Sequence, residues 1–252
     1  MSAVKLFELE AGLSMYVSST LDAEFIHAEI FREGCYDLPL PDDAFVVDVG
    51  AHVGLFLLFV KRKYPAAEIL AFEPSPETAD LLRRNIELHS LSGVQVNQVA
   101  LGAIPEAEVP FTYYPIAPGN STRYPHEKAL QKEVMARTLS ARLVERVHTG
   151  REIVVAVERL STFLPADRPV DLLKIDVEGA ELDVLLGLDE TDWPRIRRVL
   201  LEVQDLDGRL AAVCELLRAH GLEPEAQLAP MADPDVRNYV VQAVRDDLTP
   251  PA

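Results

Sequence analysis

The chain has 252 residues, 48% of them hydrophobic, and a formal charge of −17. That length and apolar content suit one substantial α/β domain over 1–252, while the acidic balance opposes a polyanion-binding face and excludes nucleic acid as the expected partner. No stretch approaches the roughly 20 apolar residues of a membrane span, and Met1-Ser2-Ala3-Val4-Lys5 lacks the basic, apolar start of a signal peptide, so a soluble cytoplasmic protein with no membrane partner is expected.

After an N-terminal segment (1–43), Phe45-Val46-Val47-Asp48-Val49 reads as a buried parallel strand, ended by Gly50 before an apolar helical segment from Val53 to Val60. Ile69 to Glu73 reads as a second strand. Ser75 is then placed as N-cap and Pro76 as the first residue of a helix that turns Ala79, Leu82 and Ile86 inward. Val94 to Leu101 supplies a third strand. The alternation then stops over 104–157, read as an insertion: an extended stretch (Val109 to Tyr114), a Pro/Gly loop (Pro115 to Pro125) and one helix (His126 to Val147). Met135, Leu139, Leu143 and Val147 would form its apolar stripe.

Val170 to Ile175 and Val199 to Val203 give a fourth and a fifth strand. A helix from Leu210 to Ala219 stops at Gly221, and Cys214 lies among its core positions, so no disulfide with Cys35 is expected. Leu222 to Leu228 and Asn238 to Val244 suit a closing antiparallel hairpin, and 246–252 reads as a loose tail. Strands alternating with helices imply an α/β, doubly wound, mostly parallel sheet of seven strands. The sequence announces no oligomeric interface.

The stretch from Val47 to Gly54 carries the most chemistry. Gly50 and Gly54, at a strand-to-helix turn, let the backbone approach a ligand at the positive end of a helix, and Glu73 at the end of the next strand can accept both hydroxyls of a ribose. A dinucleotide fingerprint would need glycine at His52, where a bulky side chain crowds a pyrophosphate. A nucleoside ligand without phosphates is favoured over a nicotinamide cofactor.

With these residues the chain resembles class I S-adenosylmethionine methyltransferases. Leu173-Lys174-Ile175-Asp176-Val177-Glu178-Gly179-Ala180-Glu181 narrows the resemblance to the FkbM family, mostly O-methyltransferases of secondary-metabolite, glycan and related pathways. Glu29-Ile30-Phe31 with Tyr36, Val99-Ala100-Leu101-Gly102, Gly119-Asn120-Ser121 and Leu200-Leu201-Glu202-Val203 also match, although the family more often has asparagine where this chain has His52. The resemblance implies a Rossmann-like fold with a lid insertion and S-adenosylmethionine as cofactor. Asp48, Gly50, Ala51 and Gly54 would surround the methionine part, Glu73 would hold the ribose, and Val99 and Ala100 would border adenine. Tyr36, His52 and Pro74 complete the expected cofactor-binding set.

Lys174, Asp176 and Glu178 are the candidate base or orienting groups, Asp176 foremost, because ligands of open α/β sheets bind at the carboxyl ends of strands. Glu181 suits stabilisation of a helix N-terminus. Asn120 and Ser121 are candidate substrate contacts. Asp176, Glu178 and Glu202 offer hard oxygen ligands for magnesium, yet nothing in their spacing fixes a site, and no metal is expected. The insertion is locally basic (Arg123, Lys128, Lys132, Arg137, Arg142, Arg146, Arg151), which suits either a solvated helix or a lid attracting an anionic, carrier-bound substrate. The expected activity is O-methylation of a small natural-product or carrier-bound intermediate. The alternatives are N- or carboxyl-methylation, a nicotinamide-dependent oxidoreductase, and a noncatalytic nucleoside-binding protein.

Overall fold

The computed structural model describes residues 4–245; the expected loose tail lies outside the described residues. The N-terminal segment, given no elements by the sequence reading, opens with an antiparallel hairpin of β1 (Lys5–Glu10) and β2 (Leu13–Val17), followed by α1 (Thr20–Arg32). Ser19 caps this helix by accepting the Asp22 N–H at 3.3 Å, and Ala23, His27 and Ile30 turn one buried face inward at helical spacing.

The predicted alternation follows with β3 (Phe45–Val49), α2 (Leu55–Lys63), β4 (Glu68–Phe72), α3 (Pro76–Leu88) and β5 (Val94–Asn97). Ser75 is the N-cap of α3, but its side chain makes no capping bond. Beyond β5 the structure departs from the expected third strand over 94–101. The chain leaves the sheet edge, and β6 (Ala100–Leu101) pairs instead with β8 (Arg151–Glu158), itself antiparallel to β7 (Glu106–Tyr113). One apolar run is divided between two sheets, a choice made by tertiary pairing and not by strand propensity.

The expected single helix over 126–147 is two: α4 (Lys128–Met135) and α5 (Ala141–Val147). Ser140 adopts extended backbone and caps α5 through the Leu143 N–H, which ends helical periodicity between them. The stripe is broken accordingly: Val147 is buried while Leu139 is 37% exposed.

β9 (Leu172–Ile175), α6 (Glu181–Leu186), β10 (Arg198–Gln204), α7 (Arg209–Ala219) and the predicted hairpin of β11 (Leu222–Leu228) and β12 (Asn238–Arg245) complete the fold. The main sheet has seven strands in the order β11-β12-β10-β9-β3-β4-β5, with β12 antiparallel to both neighbours and the other pairings parallel. Alternate residues feed two core layers: Val46, Ile69, Leu172 and Leu200 face α1 and α2, while Val47, Leu70, Leu173 and Leu201 face the opposite side with Val184, Val213 and Leu217. Asp48, Lys174 and Glu202 share the parity of the first set, so the sheet aims three ionisable side chains at one layer. Both cysteines are free and buried.

Candidate active site

The turn after β3 is built by close backbone approach. Gly50 has φ 78°, and a Cβ there would stand 1.8 Å from the carbonyl oxygen of Asp176, so only glycine lets the ends of β3 and β9 come together. The Gly50 and Ala51 N–H groups donate to the Phe72 carbonyl at 3.0 and 2.9 Å, which ties the turn to β4. Gly54 starts α2 in left-handed conformation, and its missing Cβ makes room for Leu82. Its role is helix packing, and it does not line the cavity described below.

Glu73 follows β4 and points back at the turn. Its Oε2 accepts the His52 N–H at 3.1 Å and its Oε1 accepts the Ser75 N–H at 2.9 Å. Burial pushes its carboxyl up to about 7 against these two hydrogen bonds. His52, at φ 51°, is half-buried, and desolvation depresses its imidazole to about 3. Its Nε2 lies 3.3 Å from Asp22, whose carboxyl burial raises to about 7; with the imidazole uncharged the two do not form a strong ion pair.

Behind this turn, fully buried Asp48 and Lys174 are register partners of β3 and β9. Lys174 donates to the Gly50 carbonyl at 2.8 Å and stands 3.2 Å from Asp48 and 3.6 Å from Asp176. Burial works against its ammonium, but Asp48 and Asp176 outweigh it and hold the lysine above its ordinary value. Lys174 therefore stays charged, a poor base and a good anchor. Asp48 lines no part of the cavity; it is the counter-charge beneath it.

Glu178 takes a left-handed conformation (φ 56°) and pairs with Lys128 of α4, while the Thr122 hydroxyl donates to its carbonyl at 2.7 Å. Burial raises its carboxyl, opposed by Lys128. Glu181 accepts the Val177 and Gly179 N–H groups at 3.3 and 2.9 Å, so it braces the turn before α6. The Asn120 amide oxygen accepts from Gln131 at 3.4 Å, and the Ser121 hydroxyl accepts the Tyr114 N–H at 3.2 Å.

These elements enclose a cavity of about 470 Å³, within the usual range for small-molecule sites. Of the predicted residues, Tyr36, Gly50, Ala51, His52, Glu73, Pro74, Val99, Ala100, Asn120, Ser121, Lys174, Asp176 and Glu178 line it; Asp48 and Gly54 do not. One end has Glu73 with Phe72, Val99, Ala100 and Leu101, a diol acceptor beside apolar walls, which fits an adenosine. The other end carries Asp176, Glu178 and Glu202. Tyr36 donates its hydroxyl to Glu202 at 3.0 Å, Asn238 also donates to Glu202, and burial raises that carboxyl well above its ordinary value. Among the described residues no group of three or more His, Cys, Asp or Glu side chains is arranged to hold a metal ion.

Asp22, Glu29, Lys128, Gln204 and Asn238 also line the cavity and were not among the predicted site residues. The Ser19 cap and the spacing Ala23, His27, Ile30 were the available signal for α1, which brings in Asp22 and Glu29. The basic insertion is largely neutralised by the chain itself: Arg123 pairs with Glu106, Lys128 with Glu178, Lys132 with Glu145, Arg137 with Asp235 and Arg151 with Glu77.

A Gly turn above a parallel sheet, an acidic residue ending the next strand and a nucleoside-sized cavity define a Rossmann-like methyltransferase site. The Methyltransferase FkbM domain matches residues 48–224, and the chain belongs to the FkbM family of S-adenosylmethionine-dependent methyltransferases. It is 44% identical over 253 residues to Methyltransferase 1 of Beauveria bassiana (strain ARSEF 2860), covering 98% of this chain and 100% of that protein. It is 37% identical over 245 residues to the 31-O-demethyl-FK506 methyltransferase FkbM of Streptomyces tacrolimicus, covering 90% and 92% respectively. The solved structure of Methyltransferase FkbM from Methylobacillus flagellatus KT shares the fold with a TM-score of 0.55 at 14% identity, covering 86% of this chain and 47% of that one. Membership displaces the oxidoreductase reading. No helix among the described residues is long and apolar enough to cross a membrane.

Proposed function

We propose that this protein methylates a hydroxyl oxygen of a small or carrier-bound molecule in the cytoplasm. The observation that carries this reading is Asp176, a carboxylate that lines the cavity at a strand end and is held 3.6 Å from a buried, charged Lys174. The name of the Streptomyces tacrolimicus relative, an O-demethyl compound's methyltransferase, supports the choice of oxygen. When bound, S-adenosylmethionine supplies an electrophilic methyl group and leaves as S-adenosylhomocysteine.

In this reading Glu73 accepts the ribose hydroxyls, and Val99 and Ala100 flank adenine. Asp48 and Lys174 fix the position of Asp176, which orients the acceptor or answers the cofactor's positive charge. Glu178, locked by Lys128 and Thr122, joins the insertion to the strand end, so α4 and the loop before it cover the acceptor side and exclude water. Asn120 and Ser121 stand in that cover.

The test is a methyl-acceptor screen with matched alcohols, amines and carboxylic acids, read by mass spectrometry as gain of one methylene. Alcohols methylated by the wild type and not by Asp176→Asn support the reading. Methylation confined to amines or acids contradicts it.

A further inference from the structure

Glu29, on α1, is 7% exposed, lines the cavity, and makes no hydrogen bond or ion pair with any described residue. The other carboxylates here have donors: Glu73 takes two backbone N–H groups, Glu178 takes Lys128, and Glu202 takes Tyr36 and Asn238. The Glu29 oxygens keep surface toward the cavity and meet no protein donor there, so a ligand that brings an O–H can complete the site.

We propose that Glu29 is the acceptor-side carboxylate of this cavity: it takes a hydrogen bond from the hydroxyl of an uncharged substrate, receives its proton, and disfavours substrates whose reacting end is itself a carboxylate. This rests on the methyltransferase reading above. As the oxygen–carbon bond forms, the methyl–sulfur bond breaks with its electron pair going to sulfur, and the hydroxyl proton passes to a Glu29 oxygen. Asp176 already faces the Lys174 ammonium at 3.6 Å, whereas Glu29 meets no cation or donor of the protein among the described residues.

The surroundings of Glu29 agree. Burial, then Asp176 and Glu178, raise its carboxyl to about 8, against Lys174 and with Glu33 adding to the rise. Glu202, Tyr36 and Cys35 also lie within its electrostatic reach. A proton acceptor poised near working pH is what base catalysis needs. The wall beside it is apolar, with Leu21, Phe25, Ile26, Val134, Met135 and Met231, so the acceptor's body is hydrocarbon-rich.

The experiment uses the full chain saturated with S-adenosylhomocysteine, whose own binding is measured first; failure there refutes the cofactor reading and not the role of Glu29. 1-Octanol and octanoate are then titrated by saturation-transfer NMR at about pH 6.5 and about pH 9. Ionised Glu29 accepts from the alcohol and repels the acid. Octanol affinity should therefore rise by about threefold or more with pH, and octanoate affinity should fall by a similar factor. Glu29→Gln should flatten both slopes and Glu29→Asp should retain them. Slopes that are absent in the wild type, slopes that persist in Glu29→Gln, or binding of neither probe would overturn the proposal.

Discussion

A Cβ on Gly50 would stand 1.8 Å from the carbonyl oxygen of Asp176, so the absence of one side chain sets how closely the glycine turn meets the strand end that bears the acidic residue. Backbone cannot yield as a flexible side chain can, and the positive φ adds strain for any L-residue. Gly50→Ala should lose about 3 kcal/mol or more of stability and, where it still folds, most of its S-adenosylhomocysteine affinity. Urea unfolding with calorimetric titration checks both; a stable variant that binds normally would refute the close approach.

Lys174 is the buried counter-charge of Asp48, 3.2 Å away. Lys174→Met should cost about 3–5 kcal/mol, since it leaves a carboxylate buried without its cation. The double variant Lys174→Met, Asp48→Asn removes that stranded charge and should recover a large share of the loss. Chemical denaturation of the three proteins gives the comparison, and a double variant no better than Lys174→Met would contradict the pairing.

The pH dependence at Glu73 has a definite sign. Its carboxyl rises from 4.5 to about 7 on folding, so the native state holds more protons than the unfolded chain in that window. Stability therefore falls as pH climbs from about 4.5 to about 7. Cofactor binding runs oppositely, because the ribose hydroxyls are better accepted by the charged carboxylate. S-adenosylhomocysteine affinity should increase through about pH 7, and Glu73→Gln should remove most of that increase. Calorimetry across this range decides, and an unchanged slope in Glu73→Gln would count against it.

Arg137 ties the chain after α4 to Asp235, and residues from both sides of this link, Met135 and Thr138 with Met231 and Val236, line the cavity. The pair is exposed, so its loss should barely move the thermal midpoint. Arg137→Ala should instead speed hydrogen exchange over 128–147, the expected mark of a cover that opens more often. Unchanged exchange there would mean that the link does not hold the cover.

The parallel sheet was legible because its strands are short, β-branched and buried on both faces, a pattern few alternatives share. The glycine turn and Glu73 were legible for the same local reason, residue type at a fixed spacing. Asp48 and Gly54 were read as ligand contacts and do not line the cavity: a sequence does not say on which side of the sheet the Asp48 side chain lies, and the room that Gly54 leaves for Leu82 depends on how α3 packs. The division of 94–101 between two sheets depends on β8, whose Val157 and Glu158 pair with Ala100 and Leu101 from far along the chain. The split of α4 from α5 had a local signal in Ser140, outweighed by a regular apolar spacing. Glu29 was visible as a residue but not as a site, since its meaning comes from Asp176, Glu178 and Glu202 being brought around it.

The most direct test of the account is calorimetric titration of the full chain with S-adenosylhomocysteine, alongside NADH and with Glu73→Ala as control. Micromolar binding of the homocysteine nucleoside, lost in Glu73→Ala and not shared by NADH, is the predicted result. No binding, or binding indifferent to Glu73, would contradict the placement of the cofactor on which the rest depends.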